Sequence, residues 1–269
     1  GNSKLLDELR QQGAKDVQSM HFPARKDEEW RFISLRELTR DSYVPAGGVK
    51  AEVPDISNYF IPESEKSRLV FVNGMFSEKH SFVDGLPEGV IVGSLAELAS
   101  KEASVIQKHL NQYADFKDDI FTSFNNAFVQ DGAVIFVPEG VKVEQPVQLL
   151  FIQTDASETY FITSRCLVVA EEDSEITLVE DHIGLGDNKY FNLPVIEVNL
   201  ERGAYVKHTK IQRDSRNAIH FGRTAAHVRT NSNYESYTIT LVARLSSNEP
   251  LITHREEDVK FTVDGRVLI

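Results

Sequence analysis

The chain of 269 residues contains one cysteine, Cys166. A single cysteine excludes an internal disulfide framework and any thiolate-only metal site within one chain, and it fits a reducing compartment. Long apolar runs are also missing. No stretch approaches the roughly 18 to 20 residues that a membrane-spanning helix needs, and the N-terminus carries no apolar segment of the signal-peptide kind. The first residue is Gly1 rather than Met, which reads as a processed or recombinant start. Positive charge is scarce: 29 Lys and Arg stand against 41 Asp and Glu, a formal net charge of -12. That balance disfavours non-specific nucleic-acid binding and docking on an anionic membrane by charge. Phosphate loops are absent as well. G-x-x-x-x-G-K-[ST] does not occur, and "GLGDNK" (Gly184 to Lys189) lacks the glycine spacing and following helix of a dinucleotide loop. No serine lies in G-x-S-x-G, so a hydrolase nucleophile elbow is unsupported. With 41% hydrophobic and 26% charged residues, the composition predicts a soluble, acidic, cytoplasmic protein of one large or two ordinary domains.

The pattern along the chain changes near its middle. Residues 3–13 read as an amphipathic helix with Leu5, Leu6 and Leu9 on one side and Gly13 as its stop. Residues Tyr43 to Pro62, with three prolines and the Gly47-Gly48 pair, read as an irregular connection. "RLVFVNGMF" predicts two strands around an Asn73-Gly74 turn. "GVIVGSLAEL" predicts a strand entering a helix, with Ser94 as N-cap and Glu97 completing a capping box. "SVIQKHL" and "DFKDDIFTSFNNAF" carry helical periodicity, the latter through Phe116, Ile120, Phe124 and Phe128. From Asp131 onward the segments are β-branched and aromatic, with no helical interruption. Three of them share one form: an apolar strand, a short polar break, then an alternating strand. The breaks fall at Pro138 to Gly140, Glu171 to Ser174 and Glu201 to Gly203. Repeats of this length suggest a solenoid, although an antiparallel sandwich also yields many short strands. On pattern alone both remain open.

A resemblance decides between them. "FPARKDEEWRFISLREL", "NNAFVQDGAVIFVPEGVKVEQPVQLLF", "SRCLVVAEEDSEITLVED", "VIEVNLERGAYVKHTKIQ" and "ARLSSNE" occur in this order. They resemble the SufD family of subunits of the SUF iron–sulfur cluster assembly system, with Ser247 where an Arg is usual. The resemblance implies a flattened, right-handed parallel β-helix flanked by a helical N-terminal subdomain. The expected division is residues 1–128 for the helical and mixed part and 129–269 for a β-helix core that is incomplete at its C-terminal end. It also implies a non-enzymatic scaffold that works with SufB-type and SufC-type subunits, with ATP on the SufC partner and an iron–sulfur cluster held transiently by the complex. Self-association through the C-terminal β edge is an alternative. The late Cys and His motif of the family is expected beyond Ile269, the chain resembling the N-terminal portion of a family member. "EDVKFTVDG" shares Asp258-Val259-Lys260, with Phe261 and Val263 at the Cys and His positions, but its spacing from "SNE" suits an earlier coil and the likeness is accidental. No catalytic, cofactor-binding or metal-binding residue is therefore assigned to this chain.

Several residues still invite a chemical reading. Asp27, Glu28 and Glu29 precede Trp30, the sole tryptophan. Adjacent helical positions diverge by about 100°, so three consecutive acids do not converge on one atom. They fit a first helical turn, where acids complement the helix dipole, with Trp30 and Ile33 as anchors. Cys166 lies in the apolar strand "RCLVVA", which favours a buried small hydrophobe over a reactive thiol, with an accessory cluster ligand as the sharper alternative. Five of the eight histidines, His182, His208, His220, His227 and His254, fall in the β-rich half. Stacked coils could bring some together as a metal site, but no HExxH or His-x-His spacing signals one. Arg216, Arg223 and Arg229 form a basic patch in sequence, read as a solvated face with cross-strand pairs or as an anion site. A competing function, a carbohydrate-active β-helix lyase or hydrolase, requires Asp173, Glu180, Asp181 and Arg165 in one groove.

Overall fold

The structure, a computed structural model, describes residues 3–20, 42–49, 52–101, 103–114, 119–242, 245–254 and 260–267. Its centre is a parallel β-solenoid of about 4 turns built from two facing sheets. The first sheet runs β1 (Val44–Pro45), β8 (Tyr160–Ile162), β11 (Tyr190–Asn192), β14 (Ile219–Val228), β12 (Val195–Leu200), β9 (Arg165–Ala170), β6 (Ala133–Val137) and β5 (Ile91–Ser94). Strand β16 (Leu245–His254) adds to β14. The second sheet runs β17 (Lys260–Val267), β15 (Asn233–Val242), β13 (Tyr205–Arg213), β10 (Glu175–Gly184), β7 (Val147–Gln153), β2 (Ser67–Val72) and β3 (Met75–Phe76), with β4 (Phe82–Val83) also on β2. Pairing is parallel along β6, β9, β12, β14 and β16 and along β7, β10, β13, β15 and β17. This settles the solenoid over the sandwich.

The polar breaks are the corners of the coils. Gly140, Asp173, Gly203 and Asn231 all have positive φ, at 70°, 56°, 70° and 57°. The corners stack through backbone bonds from Gly140 N to Glu172 O, Asp173 N to Arg202 O and Gly203 N to Thr230 O. Only glycine adopts this left-handed conformation without strain, with Asn and Asp the next most tolerant residues. The repeated breaks in the sequence therefore mark repeated turns of the backbone.

Alternation along each strand sorts side chains between the solenoid interior and its outer faces. Interior residues such as Leu69, Phe71, Ile135, Val147, Val168 and Val198 form one continuous core. Strand β2 contributes to this core although it comes from the helix-rich part, because it pairs in parallel with β7. On the outer face of the first sheet, Leu167 and Val169 pack under Leu6, Leu9, Leu95 and Ile106 of the helices. Each such buried aliphatic side chain contributes about 1.5–3 kcal/mol.

The helices follow the sequence signals with one difference. Ser94 caps the helix Leu95–Ser100, its Oγ accepting from Glu97 N at 3.3 Å. The helix Ser104–His109 lies where periodicity places it. The helix Ile120–Phe128, capped by Asp119, carries the Ile120, Phe124 and Phe128 part of its pattern, while Phe116 lies outside the described residues. The first helix, however, runs through Gly13 from Lys4 to Ser19. Gly13 is a close-approach residue rather than a stop: a Cβ there would lie 2.4 Å from Ala127 N on the helix Ile120–Phe128. Asn73 and Gly74, at φ 49° and 82°, form the expected turn between β2 and β3.

Candidate functional site

The interior changes character along the solenoid axis. One column of aligned residues reads Leu69, Leu149, Glu180, Lys210, Thr238. Its neighbour reads Phe71, Phe151, His182, Gln212, Thr240, and a third reads Val147, Leu178, His208, Ser236. The same inward phase that is apolar in the early coils becomes ionisable in the later ones. Removing such groups from water is costly unless they are paired, and here they pair with one another.

Glu180 is the hub. Its carboxylate lies 2.9 Å from His182 Nε2, 3.4 Å from His208 Nε2 and 3.5 Å from Lys210 Nζ. Burial alone would raise its pKa, but the Lys210 ammonium and the two imidazoles outweigh this and hold it well below the usual carboxylate range. Burial pulls the Lys210 ammonium below its ordinary value, with Glu180 opposing that shift. Lys210 Nζ also donates to Asn248 Oδ1 at 2.7 Å. Behind it, Gln212 Oε1 accepts from Thr240 Oγ1 at 2.6 Å and Ser246 Oγ at 3.1 Å.

A second unit abuts the first. Tyr190 Oη donates to Asp214 Oδ1 at 2.7 Å, and Asp214 Oδ2 lies 2.9 Å from His220 Nδ1. This assigns the His220 proton to Nδ1. Burial, with Lys210 nearby, lowers its pKa to about 4, so the ring is neutral at pH 7. The Asn192 amide nitrogen lies 3.1 Å from His182 Nδ1 and so links the two units. Among the described residues, the buried atoms His220 Nε2 and Asn192 Oδ1 have no hydrogen-bond partner, and His208 Nε2 has only its long contact to Glu180. A cavity of about 700 Å³ reaches His208 and Lys210, with Arg216 and Asn248 in its lining.

The sequence candidates are partly assembled and partly dispersed. His182, His208 and His220 meet in the interior, as stacking allows. His227 lies elsewhere, on the helix-covered face, bonded to Asn199 Oδ1 at 2.9 Å and stacked on Tyr113. His254 pairs in register with Val228, and its side chain is outside the described residues. Among the described residues, no three His, Cys, Asp or Glu side chains converge as a metal ion requires. Cys166 faces the apolar interior at 3% exposure. Burial, with Glu180 nearby, pushes its thiol up to about 12, so it is not a thiolate at neutral pH.

The basic patch does not form. Arg223 is buried and pairs with Asp119 at 3.0 Å, Arg229 pairs with Glu201 at 2.9 Å, and Arg216 is exposed at the cavity lining. The four residues of the lyase reading also separate. Asp173 is an exposed corner, Glu180 is interior, and Asp181 pairs with Arg213 on the outer face of the second sheet. Arg165 lies beneath the helices on the first sheet, bonded to Glu197 Oε2 at 3.0 Å and Asn126 Oδ1 at 2.7 Å. Glu197 also accepts from the backbone of Asn111, Tyr113 and Ala114, so this pair staples a loop to the sheet. The acids at 27–29 and Trp30 lie outside the described residues.

The sequence reading missed Lys210, Gln212, Asn192, Asp214 and Asn248 as interior residues. A signal was present: in "EITLVEDH" and "YVKHTKIQ" the polar residues Glu180, His182, His208, Lys210 and Gln212 continue the alternation of Ile176, Leu178 and Val206.

Comparison with known proteins places this architecture. A family model described as the SufBD protein N-terminal region matches residues 1–149, and one described as the SUF system FeS cluster assembly, SufBD core domain, matches residues 151–269. An iron–sulfur cluster assembly SufBD family protein of Synechocystis is 32% identical over 260 residues, covering 93% of this chain and 57% of that protein. A chloroplastic protein of Arabidopsis thaliana, ABCI7, is 26% identical over 250 residues, covering 91% and 52%. The iron–sulfur cluster assembly protein SufB of Bacillus subtilis is 27% identical over 207 residues, covering 73% and 42%. The chain thus spans about half the length of these curated relatives. Two adjoining family matches over a parallel solenoid with flanking helices lead to one assignment: this chain belongs to the SufBD family of iron–sulfur cluster assembly proteins.

Proposed function

We propose that the chain is a non-enzymatic scaffold subunit of a SufB–SufC–SufD type complex. In this reading residues 1–128 form the flanking subdomain and 129–269 the β-helix core. The cluster is the complex's cargo, ATP is handled by a SufC-type partner, and the chain itself holds no resident cofactor. The site of action is the cytoplasm or an equivalent compartment. Among the described residues no helix is long and apolar enough to cross a membrane.

One observation carries the reading: the buried ionisable residues of the solenoid interior and of the helix-covered face pair with one another. Glu180, His182 and Lys210 form an interior network, and Arg165 and Arg223 are buried against acids. A catalytic groove instead needs an acid and a base presented to a shared substrate atom. The dispersal of Asp173, Glu180, Asp181 and Arg165 leaves the carbohydrate-active reading without a site.

Co-purification with SufB-type and SufC-type subunits tests the proposal. Retention of the chain with a SufB-type subunit, with no turnover of a polyuronate by the chain alone, is the expected result. Polyuronate cleavage that disappears in Asp181→Asn would refute it.

A further inference from the structure

On the outer face of the second sheet, across the sheet from the interior network, the segment around Asp55 and Ile56 packs over β2. Together with Lys79 to Phe82 it encloses a cleft of about 490 Å³. Arg68 projects into it from β2. Its Nε donates to His80 O at 3.2 Å, and its guanidinium carbon lies 3.5 Å above the centre of the Phe60 ring. The side chain is thus fixed at its root, at Nε and across its flat face. Among the described residues Arg68 has no ion-pair partner, and Nε is its one hydrogen-bonding nitrogen.

An arginine held in this way and left without a carboxylate is unusual in a chain with 41 acids to 29 bases. Arg223 and Arg165, both fully buried, each have an acid within 3.0 Å. The cleft adds a second cation through Lys79 and a neutral imidazole through His80. Burial lowers the pKa of His80, and Lys79 and Arg68 lower it further by repulsion. The cleft's acid, Asp55, is kept ionised by accepting from Ser57 N at 2.9 Å and offsets part of the positive charge of Arg68 and Lys79. The lining also holds the apolar side chains Val53, Ile56, Phe60 and Phe82, the last half exposed at 50%.

The geometry points to a binding site for a small phosphate monoester in this cleft, its phosphate held by Arg68, Lys79 and His80 and its organic part against Phe60 and Phe82. A guanidinium offers parallel N–H donors matched to phosphate oxygens, and pre-fixing it removes much of the entropy cost of binding. Phosphate fits better than a single carboxylate because two cations, Arg68 and Lys79, and a neutral imidazole able to donate one hydrogen bond, His80, line the same space. The site lies outside the interior network and goes beyond the assembly role proposed above.

The test is titration calorimetry of the full chain at low ionic strength with phenyl phosphate, inorganic phosphate and a glutamate-rich peptide. The expected result is saturable one-to-one binding of phenyl phosphate, with inorganic phosphate weaker. Arg68→Gln should weaken it by about tenfold or more, the loss expected for a charge-assisted bidentate contact. Lys79→Glu, a charge reversal at an exposed position, should weaken it comparably while leaving the circular dichroism and thermal midpoint unchanged. It therefore reports on the site even if Arg68→Gln folds poorly. Absence of saturation with phenyl phosphate, or equal binding by Lys79→Glu, would overturn the proposal. Arg68-dependent binding of the peptide without phenyl phosphate binding would also overturn it, making the cleft a docking point for an acidic segment.

Discussion

Replacing Lys210 by Met probes the interior network most sharply. Lys210 and Glu180 are buried, at 5% and 3% exposure, with Nζ and Oε2 3.5 Å apart. At an effective dielectric constant of about 20, that separation corresponds to a gross attraction of roughly 5 kcal/mol. The Lys210 side chain also satisfies Asn248 Oδ1, and a lost hydrogen bond to a charged group costs about 1.5–3 kcal/mol. Against these losses stand the removed desolvation of the ammonium and the His182 contact, which still supports Glu180. The net expectation is a destabilisation of about 3 kcal/mol, at the lower end of the range for orphaning a buried charge. Equilibrium urea unfolding followed by far-ultraviolet circular dichroism measures it. Adding Glu180→Gln should recover at least half of the loss, because the neutral amide needs no counter-charge. A cost below roughly 1 kcal/mol for Lys210→Met, or a double variant as unstable as the sum of the singles, would refute the paired-network reasoning.

Other expectations follow from the same contacts. Glu197→Gln removes the carboxylate opposite Arg165, both fully buried, and should cost about 3–5 kcal/mol in urea unfolding, with faster hydrogen exchange at Asn111, Tyr113 and Ala114. Acid should destabilise the fold through His220. Its folded-state pKa of about 4 lies below the ordinary 6.5, so the unfolded chain takes up the proton first as pH falls. The stability linked to this group is present above pH 6.5 and is lost towards pH 4, about 2 kcal/mol of it by pH 5. His220→Gln should flatten the corresponding part of the stability profile between pH 7 and pH 5. Cys166, with its thiol pushed up to about 12, should resist a thiol reagent at pH 7 until urea unfolds the chain. Rapid labelling of the native protein would contradict its placement.

The solenoid was legible because its corners are chemical. Gly140, Asp173, Gly203 and Asn231 adopt backbone conformations that few residues tolerate, and three of those breaks stand out in the sequence. The register between coils was not legible. Parallel pairing sets Glu180 beside Lys210 and Arg165 beside Val195 across about thirty residues, and nothing local in either segment encodes that alignment. For the same reason the histidines could be counted but not grouped. Two of them, His182 and His208, share the interior with His220 from the other sheet, whereas His227 takes the outer face of the strand that carries His220. Gly13 shows the opposite failure. Its local signal indicates a helix stop, but packing against Ala127 decides its role.

In the function proposed above, this SufBD-family chain acts by association rather than by turnover. Sedimentation velocity of the chain mixed with a SufB-type subunit is the decisive measurement. The expected result is a single faster-sedimenting species at equimolar mixing that incorporates both chains. Two independent boundaries at concentrations well above micromolar would contradict it.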